Sequence, residues 1–500
     1  MSRAHDAGRP PSPPLVAPPL PPGTGRLLFL LVAAAFVVIL NETIMSVALP
    51  TLMAEFSVTA ATAQWLTTGF MLTMAVVIPF TGWLLTRLPL RGVFVLAMST
   101  FLAGNVLAGL APVFPLLIAG RVVQAVGTAL MMPLLMTTVM NVVPLARRGT
   151  TMGLISVVIS VAPAAGPTVG GVILEHLTWR WMFGTVAPIA LAALVAGSLW
   201  VRDVTERRRV PLDVASGLLS AAGFAALVFG LSSIGEAAAG HAPLPPALPI
   251  AVGAVLLAVF AARQLRLGDG ALLDLRVLAR PGYTVPLAVL LVGMMALFGT
   301  LILLPIYLQS VLGWDAQATG LALLPGGLVM AALGYLAGRA YDRVGPRPLV
   351  LPGAALAAAG LWGYALLLGP TTTAGLVVGL HVTLSAGLAL LFGPLMTSAL
   401  GALDRPQYPH GSALLSTLQQ VSAATGTAVF ITLLTVGTAA GLDAGADRAE
   451  ATMQGVHTAF LTGAAIFLVA VVGTLRVRRP AAPDAPAPTP AGTPDVPPAG

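Results

Sequence analysis

The chain has no cysteine, which rules out disulfides and any zinc or iron–sulfur site held by thiolates. It has no lysine either, because all 25 basic residues are arginine. That removes the lysine of a phosphate-binding loop and any Schiff-base lysine for pyridoxal phosphate or retinal, and so argues against a self-contained ATP-driven or light-driven pump. Charge of both signs is scarce, at 9% of residues, and is gathered into short clusters. Clusters of metal-ligating residues and loops long enough to fold alone are also missing, which argues against a membrane-embedded enzyme and leaves no cofactor or metal to expect.

What fills the chain instead is apolar: 57% of its 500 residues are hydrophobic and the mean hydropathy is +0.93. The runs are continuous, not the alternating short segments of a β-barrel, so the fold class is an all-α polytopic membrane protein in a lipid bilayer. About fourteen runs are long enough to span. The first is too long for a signal peptide and no cleavage site follows it, so it stays as the first span. Residues 1–26 and 479–500 are rich in proline and read as disordered tails.

Arginine placement orients the chain. With the N-terminus inside, Arg180 and Arg448 fall outside, Arg121 falls within a span, and every other arginine lies inside. This bias puts both termini in the cytoplasm and requires an even number of spans. It also accounts for the net charge of +7 without a nucleic-acid partner.

One carboxylate breaks the apolar pattern. Glu42, in the stretch Ile39–Pro50 (ILNETIMSVALP), lies a little past the middle of the first run, and no other acidic residue is so far from a segment end. A charge there costs about 3 kcal/mol or more, so it needs a function or a partner. The candidate partner is Arg121, seven positions below Phe114, matching the eight between Glu42 and Pro50. At ~1.5 Å per residue both lie about 10 to 12 Å deep. A change in their separation changes which protonation state is favoured, and so can bind or release a proton. A permanent pair holding two helices together, or direct contact with a cationic substrate, are the alternatives.

The chain also repeats itself. Gly82, Arg87 and Arg91, closing the second segment, have the spacing of Gly338, Arg343 and Arg347, closing the tenth, where Asp342 and Gly345 complete the stretch GRAYDRVGPR. Two halves with a repeated loop motif mark a transporter built from repeats. The boundaries are an N-terminal six-helix bundle at 27–201, a basic loop with two inserted helices at 202–281, and a C-terminal six-helix bundle at 282–478.

These motifs resemble the major facilitator superfamily, and within it the fourteen-span drug:proton antiporters. The stretch Gly338–Arg347 matches the inner-loop motif GxxxDRxGxR in full, and Arg121, Gln124 and Gly127 match the fourth-helix motif. Pro163 with Gly166, Pro167, Gly170 and Gly171 matches the fifth-helix antiporter motif. Asn41, Thr43 and Pro50 belong to the first-helix motif, and Trp179–Phe183 (WRWMF) completes a pattern that covers nearly the whole membrane region. Two positions depart from it. Asn41 stands where the family usually has Asp, with Glu42 about 100° further round the helix. In the N-half loop, Thr86 and Pro89 replace Asp and Gly.

The resemblance implies that helices 1 and 4 are neighbours, that Glu42 and Arg121 couple to protons, and that the fifth helix seals one side against the opposite half. It also implies that Arg87, Arg91, Gly338, Asp342, Arg343 and Arg347 hold the inner gate; a solvated pair is the alternative for Asp342 with Arg343. Side chains that could line a pocket are Trp65, Phe70, Phe298, Tyr307, Gln309, Tyr335, Trp362, His381, Phe392, Gln419 and Gln420. His381 is either a hydrogen-bonded neutral side chain or a second proton site. Such a lining suits large hydrophobic compounds better than sugars. The expected function is proton-coupled export of hydrophobic drugs or secondary metabolites, neutral or cationic, by a monomer in the plasma membrane. The alternatives are a dedicated exporter of one natural product and, less favoured, a non-transporting enzyme or receptor on the same shell.

Overall fold

The computed structural model describes residues 23–201, 203, 212–238 and 244–477. Both tails, apart from their innermost residues, and the loop carrying Arg202 and Arg207–Arg209 lie outside the described residues. Among the described residues, fourteen helices are long and apolar enough to cross a membrane. They are α1 Thr24–Phe56, α2 Ala60–Arg87, α3 Leu90–Gly109, α4 Phe114–Val142, α5 Arg148–His176, α6 Val186–Trp200, α7 Val214–Ala238 and α8 Ala247–Leu267. They continue with α9 Pro281–Ser310, α10 Ala316–Val344, α11 Arg347–Leu367, α12 Ala374–Gly401, α13 Tyr408–Asp443 and α14 Arg448–Thr474. A helix satisfies every backbone group within itself, which is why an apolar chain of this length has no cheaper way across a bilayer.

Helices α1–α6 pack as one bundle and α9–α14 as a second, with α5 laid against α10 and α12, and α2 against α13, where the two meet. The inserted pair α7–α8 covers the seam on the α2 and α13 side. An even number of spans brings both ends of the chain to one face, called here the terminal face. There Arg347, opening α11, donates to the carbonyls of Val477 and Leu475 just past α14.

The first helix runs past Pro50, the mark from which the depth of Glu42 is counted in the sequence. Pro50 lies inside α1, which runs on to Phe56. Prolines also lie inside α2, α4, α9, α10, α11 and α12. Each forfeits one backbone bond, and neighbouring helices in a membrane make that loss tolerable.

The inserted pair is pinned by a bidentate ion pair. Arg263 donates to both oxygens of Asp213 at 2.8 and 2.9 Å, and Ser216 Oγ adds a bond at 2.6 Å. The guanidinium, then the hydroxyl, hold the Asp213 carboxyl down from an ordinary 3.8 to about 2. A depressed carboxylate stabilises the fold above its ordinary range and loses that contribution as pH falls toward the folded value. Hydrogen-exchange protection in the first turn of α7, corrected for the intrinsic rate at each pH, is therefore expected to fall between pH 4 and 2, ahead of α3. An equal loss of protection in both helices would contradict the assignment.

Candidate functional site

At the centre of the N-terminal bundle the Arg121 guanidinium is almost completely buried, at 1% exposure. Helix α4 delivers it because Gly120 and Gly127 allow α3 to approach closely. A Cβ at Gly127 would lie 2.3 Å from the Ala97 carbonyl, and one at Gly120 would lie 2.6 Å from the Ala108 nitrogen. The guanidinium sits 4.1 Å from the centre of the Phe70 ring, a cation–π contact. Its Nη1 donates to Gln124 Oε1 at 2.6 Å and to Asn41 Oδ1 at 3.1 Å. Gln124 donates in turn to Asn105 Oδ1 at 3.1 Å, and Asn105 donates to the Phe183 carbonyl at 2.7 Å. The hub thus joins α1, α3 and α4 to the turn that precedes α6. Arg121 Nε has no hydrogen-bond partner among the described residues.

Arg121 bonds to the amide of Asn41 and not to a carboxylate. Glu42 stands one position further along α1 and is half-buried. It lies on the arc of α1 between Asn41, which faces α3 and α4, and Thr43, which faces α5 through the Ala162 carbonyl at 3.4 Å. The matched depths counted from Pro50 and Phe114 need correction, because the ring facing Phe114, at 5.8 Å, is Phe56. Asn41 lies fifteen positions from Phe56, whereas Arg121 lies seven from Phe114.

In the antiporter motif, Gly166 and Gly170 pack on α1 of their own bundle. A Cβ at Gly166 would lie 2.1 Å from Thr43 Oγ1, and one at Gly170 would lie 3.0 Å from the Ile44 carbonyl. A Cβ at Gly171 would meet nothing within 4 Å, while Pro163 and Pro167 both fall within α5. The contact of α5 with the opposite half lies instead at its start, through Gly149 and Gly153.

That contact is the C-half loop motif. A Cβ at Gly338 would lie 2.3 Å from the Gly149 carbonyl and 2.7 Å from Gly153 Cα. The approach lets the Asp342 carboxylate cap the start of α5, accepting from Gly149 N at 2.7 Å, Thr150 N at 2.8 Å and Thr150 Oγ1 at 2.6 Å. A carboxylate on the exposed amides of a helix N-terminus is favoured by both hydrogen bonding and the helix dipole. Gly345 ends α10 at φ 78°, a left-handed conformation that a Cβ would oppose. Arg343 is exposed.

The N-half copy is built differently. Gly82 packs on His410 and Ala413 of α13, but Thr86 donates to the Trp83 carbonyl of its own helix and, among the described residues, makes no comparable bond across to the other half. The Arg87 guanidinium lies 5.4 Å from the Trp83 ring, and the Arg91 amide donates to Asp203. Arg148 ties this side instead. It donates to the Met140 and Val143 carbonyls that end α4 and, at 3.3 Å, to Tyr408 Oη at the head of α13.

Of the aromatic and polar side chains considered for a pocket, Phe70 alone joins the hub. Trp65 stacks on Phe229 of the inserted α7 at 6.1 Å. Tyr307 Oη donates to the Gly369 carbonyl, and Phe392 is buried against Gly293. Phe298 and Trp362 flank the core of the C-terminal half, while Gln309 and Tyr335 are exposed. His381 meets Tyr364 Oη at 3.3 Å, and it would lie 2.2 Å from a Cβ at Gly326, so it fastens α10, α11 and α12 together. Gln419 and Gln420 lie half-buried on α13.

The sequence reading missed a clamp at the far face, where Glu55 accepts from Trp179 Nε1 at 2.6 Å and from Arg180 at 2.8 Å. It missed Asn105 as well. The signal for Asn105 was a polar side chain deep inside a span, the same test that selected Glu42.

Two helical halves interlocked through helix ends at one face, with a buried polar hub in one of them, are the build of a two-halved membrane transporter. The sequence profile of the Major Facilitator Superfamily matches residues 31–427, and the chain belongs to that family. It is 38% identical over 451 residues to the lincomycin resistance protein LmrB of Listeria monocytogenes, covering 89% of this chain and 95% of that protein. It is 32% identical over 410 residues to the multidrug resistance protein B homolog of Mycobacterium tuberculosis, covering 81% of this chain and 75% of that protein. Among solved structures, the human organic anion transporter MFSD10 (TETRAN) superposes with a TM-score of 0.64 at 15% identity, covering 91% of this chain and all of that one, a likeness of fold.

Proposed function

We propose that the protein exports hydrophobic drugs or secondary metabolites, neutral or cationic, across the plasma membrane in exchange for protons, working as a monomer. The observation that carries this reading is a buried guanidinium, Arg121, bonded to Asn41 of α1 with an acid, Glu42, at the next position, inside a transporter whose relatives are named for drug resistance. Neither group is firmly paired to the other, so movement of α1 against α4 can change the balance between charged and neutral acid. The arginine bias supports a cytoplasmic terminal face. On that orientation Asp342, Gly338 and Arg148 hold the inner gate shut, and the bundles at 27–201 and 282–478 rock about the centre while the inserted pair rides on the seam.

Efflux of a fluorescent hydrophobic dye from cells lacking their own pumps tests the reading. Efflux is expected to stop when the proton gradient is dissipated. Efflux that continues unchanged would reject proton coupling, and no efflux of any compound would reject export.

A further inference from the structure

Seven buried side-chain polar atoms lack a hydrogen-bond partner among the described residues, and four of them belong to one region: Thr137 Oγ1, Ser412 Oγ, Ser416 Oγ and Gln419 Nε2. The three on α13 are spaced by four and three residues, which puts them within about 60° of one another along ~10 Å of helix. Their direction follows from their neighbours. Gly411, on one flank of Ser412, packs against Leu403 and Tyr283 of the C-terminal half, and Ala413, on the other, packs against Gly82 of α2. Ser412 therefore points between the halves. Thr137 belongs to α4, which packs against α13. Counted from the terminal face, Thr137 lies five positions from Val142 and Ser412 four from Tyr408, so the two sit at a similar height.

Hydroxyls buried in a helix ordinarily bond to the carbonyl one turn back. Thr128, Thr138, Thr397 and Thr417 all do so in these same helices or their neighbours. Thr137, Ser412 and Ser416 do not, although they are 0%, 0% and 7% exposed. A buried polar group without a partner is disfavoured against an apolar one of the same shape. The polar identity of the strip is accounted for if it meets partners in another state, when the halves separate at the terminal face.

We propose that this strip lines the route by which substrate enters from the terminal face. Its hydroxyl and amide groups bind hydrogen-bonding groups of the passing compound. The inference rests on the export reading and refines its substrate class: amphipathic molecules that carry hydroxyl or amide groups beside an apolar body. The strip has no charged side chain, so it selects hydrogen-bonding capacity and not charge.

The test is transport by a Thr137→Val/Ser416→Ala/Gln419→Leu variant of the full-length protein. The probes are two exported compounds of similar size, one bearing several hydroxyl and amide groups and one a dye with neither. The preference for the polar compound, as the ratio of kcat/KM values, is expected to fall about tenfold, the worth of one or two lost hydrogen bonds. The melting temperature is expected to hold or rise. An unchanged ratio overturns the proposal, as does a fall in melting temperature, which would mean that these side chains are partnered in the resting fold. If the unaltered protein exports neither compound, the export reading falls and the strip's role falls with it.

Discussion

In vesicles with an imposed pH gradient, Glu42→Gln is expected to abolish uphill transport while leaving the protein inserted and folded. A gradient of two pH units carries about 2.7 kcal/mol per proton, enough to sustain roughly a hundredfold concentration ratio at one proton per substrate. Without a titratable group in the exchange, the steady-state ratio should fall to about 1, because coupling can hold a gradient only through a ligand whose binding differs between the two states. The amide is nearly isosteric and keeps hydrogen-bonding capacity, and Arg121 keeps its bonds to Asn41 and Gln124. Loss of transport would therefore not be loss of the hub. The hub also suggests a rescue. Asn41 Oδ1 already accepts from Arg121, so Asn41→Asp in the Glu42→Gln background returns a carboxylate to the same guanidinium. Partial recovery of the gradient is expected, and full proton-driven transport by Glu42→Gln alone would remove Glu42 from the mechanism.

The second large effect is mechanical. Gly338→Val is expected to pry the terminal face open, because its Cβ would meet the Gly149 carbonyl at 2.3 Å and Gly153 Cα at 2.7 Å, both backbone atoms that no rotamer change can move. Overpacking of this kind costs about 1 to 3 kcal/mol, and it falls on the closed arrangement alone. A shift of 2 kcal/mol changes the ratio of two conformations about thirtyfold. The absence of cysteine makes the readout direct. Ser156→Cys places one thiol on α5, buried beside Gly334 and Gly393 of the opposite half. Its labelling by a water-soluble maleimide is expected to rise at least about tenfold when Gly338→Val is added. Unchanged labelling would mean that α5 and α10 do not gate access to this seam.

Much of this architecture was legible in the chain because membrane spans are written in long apolar runs. All fourteen were evident from hydropathy and arginine placement. The end of α1 was not, since a proline that would stop a soluble helix is tolerated where other helices surround it. At the hub, Arg121 and Gln124 were readable as charged and polar groups deep in a span. That Arg121 bonds to Asn41, with Glu42 beside it, was not, because one residue of register decides it and register is set by packing. The halves' interlock was half legible. Gly338 and Asp342 stood out through the repeat, but their receiving surface, Gly149 and Thr150, carries no motif of its own and is recognisable only as a helix start. Arg148 was read as a loop charge, and only the fold reveals it tying α4 to α13. The pocket was the least readable part, since an aromatic in a span looks the same whether it faces lipid, core or substrate.

The most direct test of proton exchange at this hub is the proton count on substrate binding to purified protein, followed with a pH indicator in weakly buffered solution. The unaltered protein is expected to release close to one proton per bound substrate, and Glu42→Gln none, while Gln124→Leu disturbs affinity without abolishing release. Equal proton release from the unaltered and Glu42→Gln proteins would place the exchanged proton elsewhere and contradict the account.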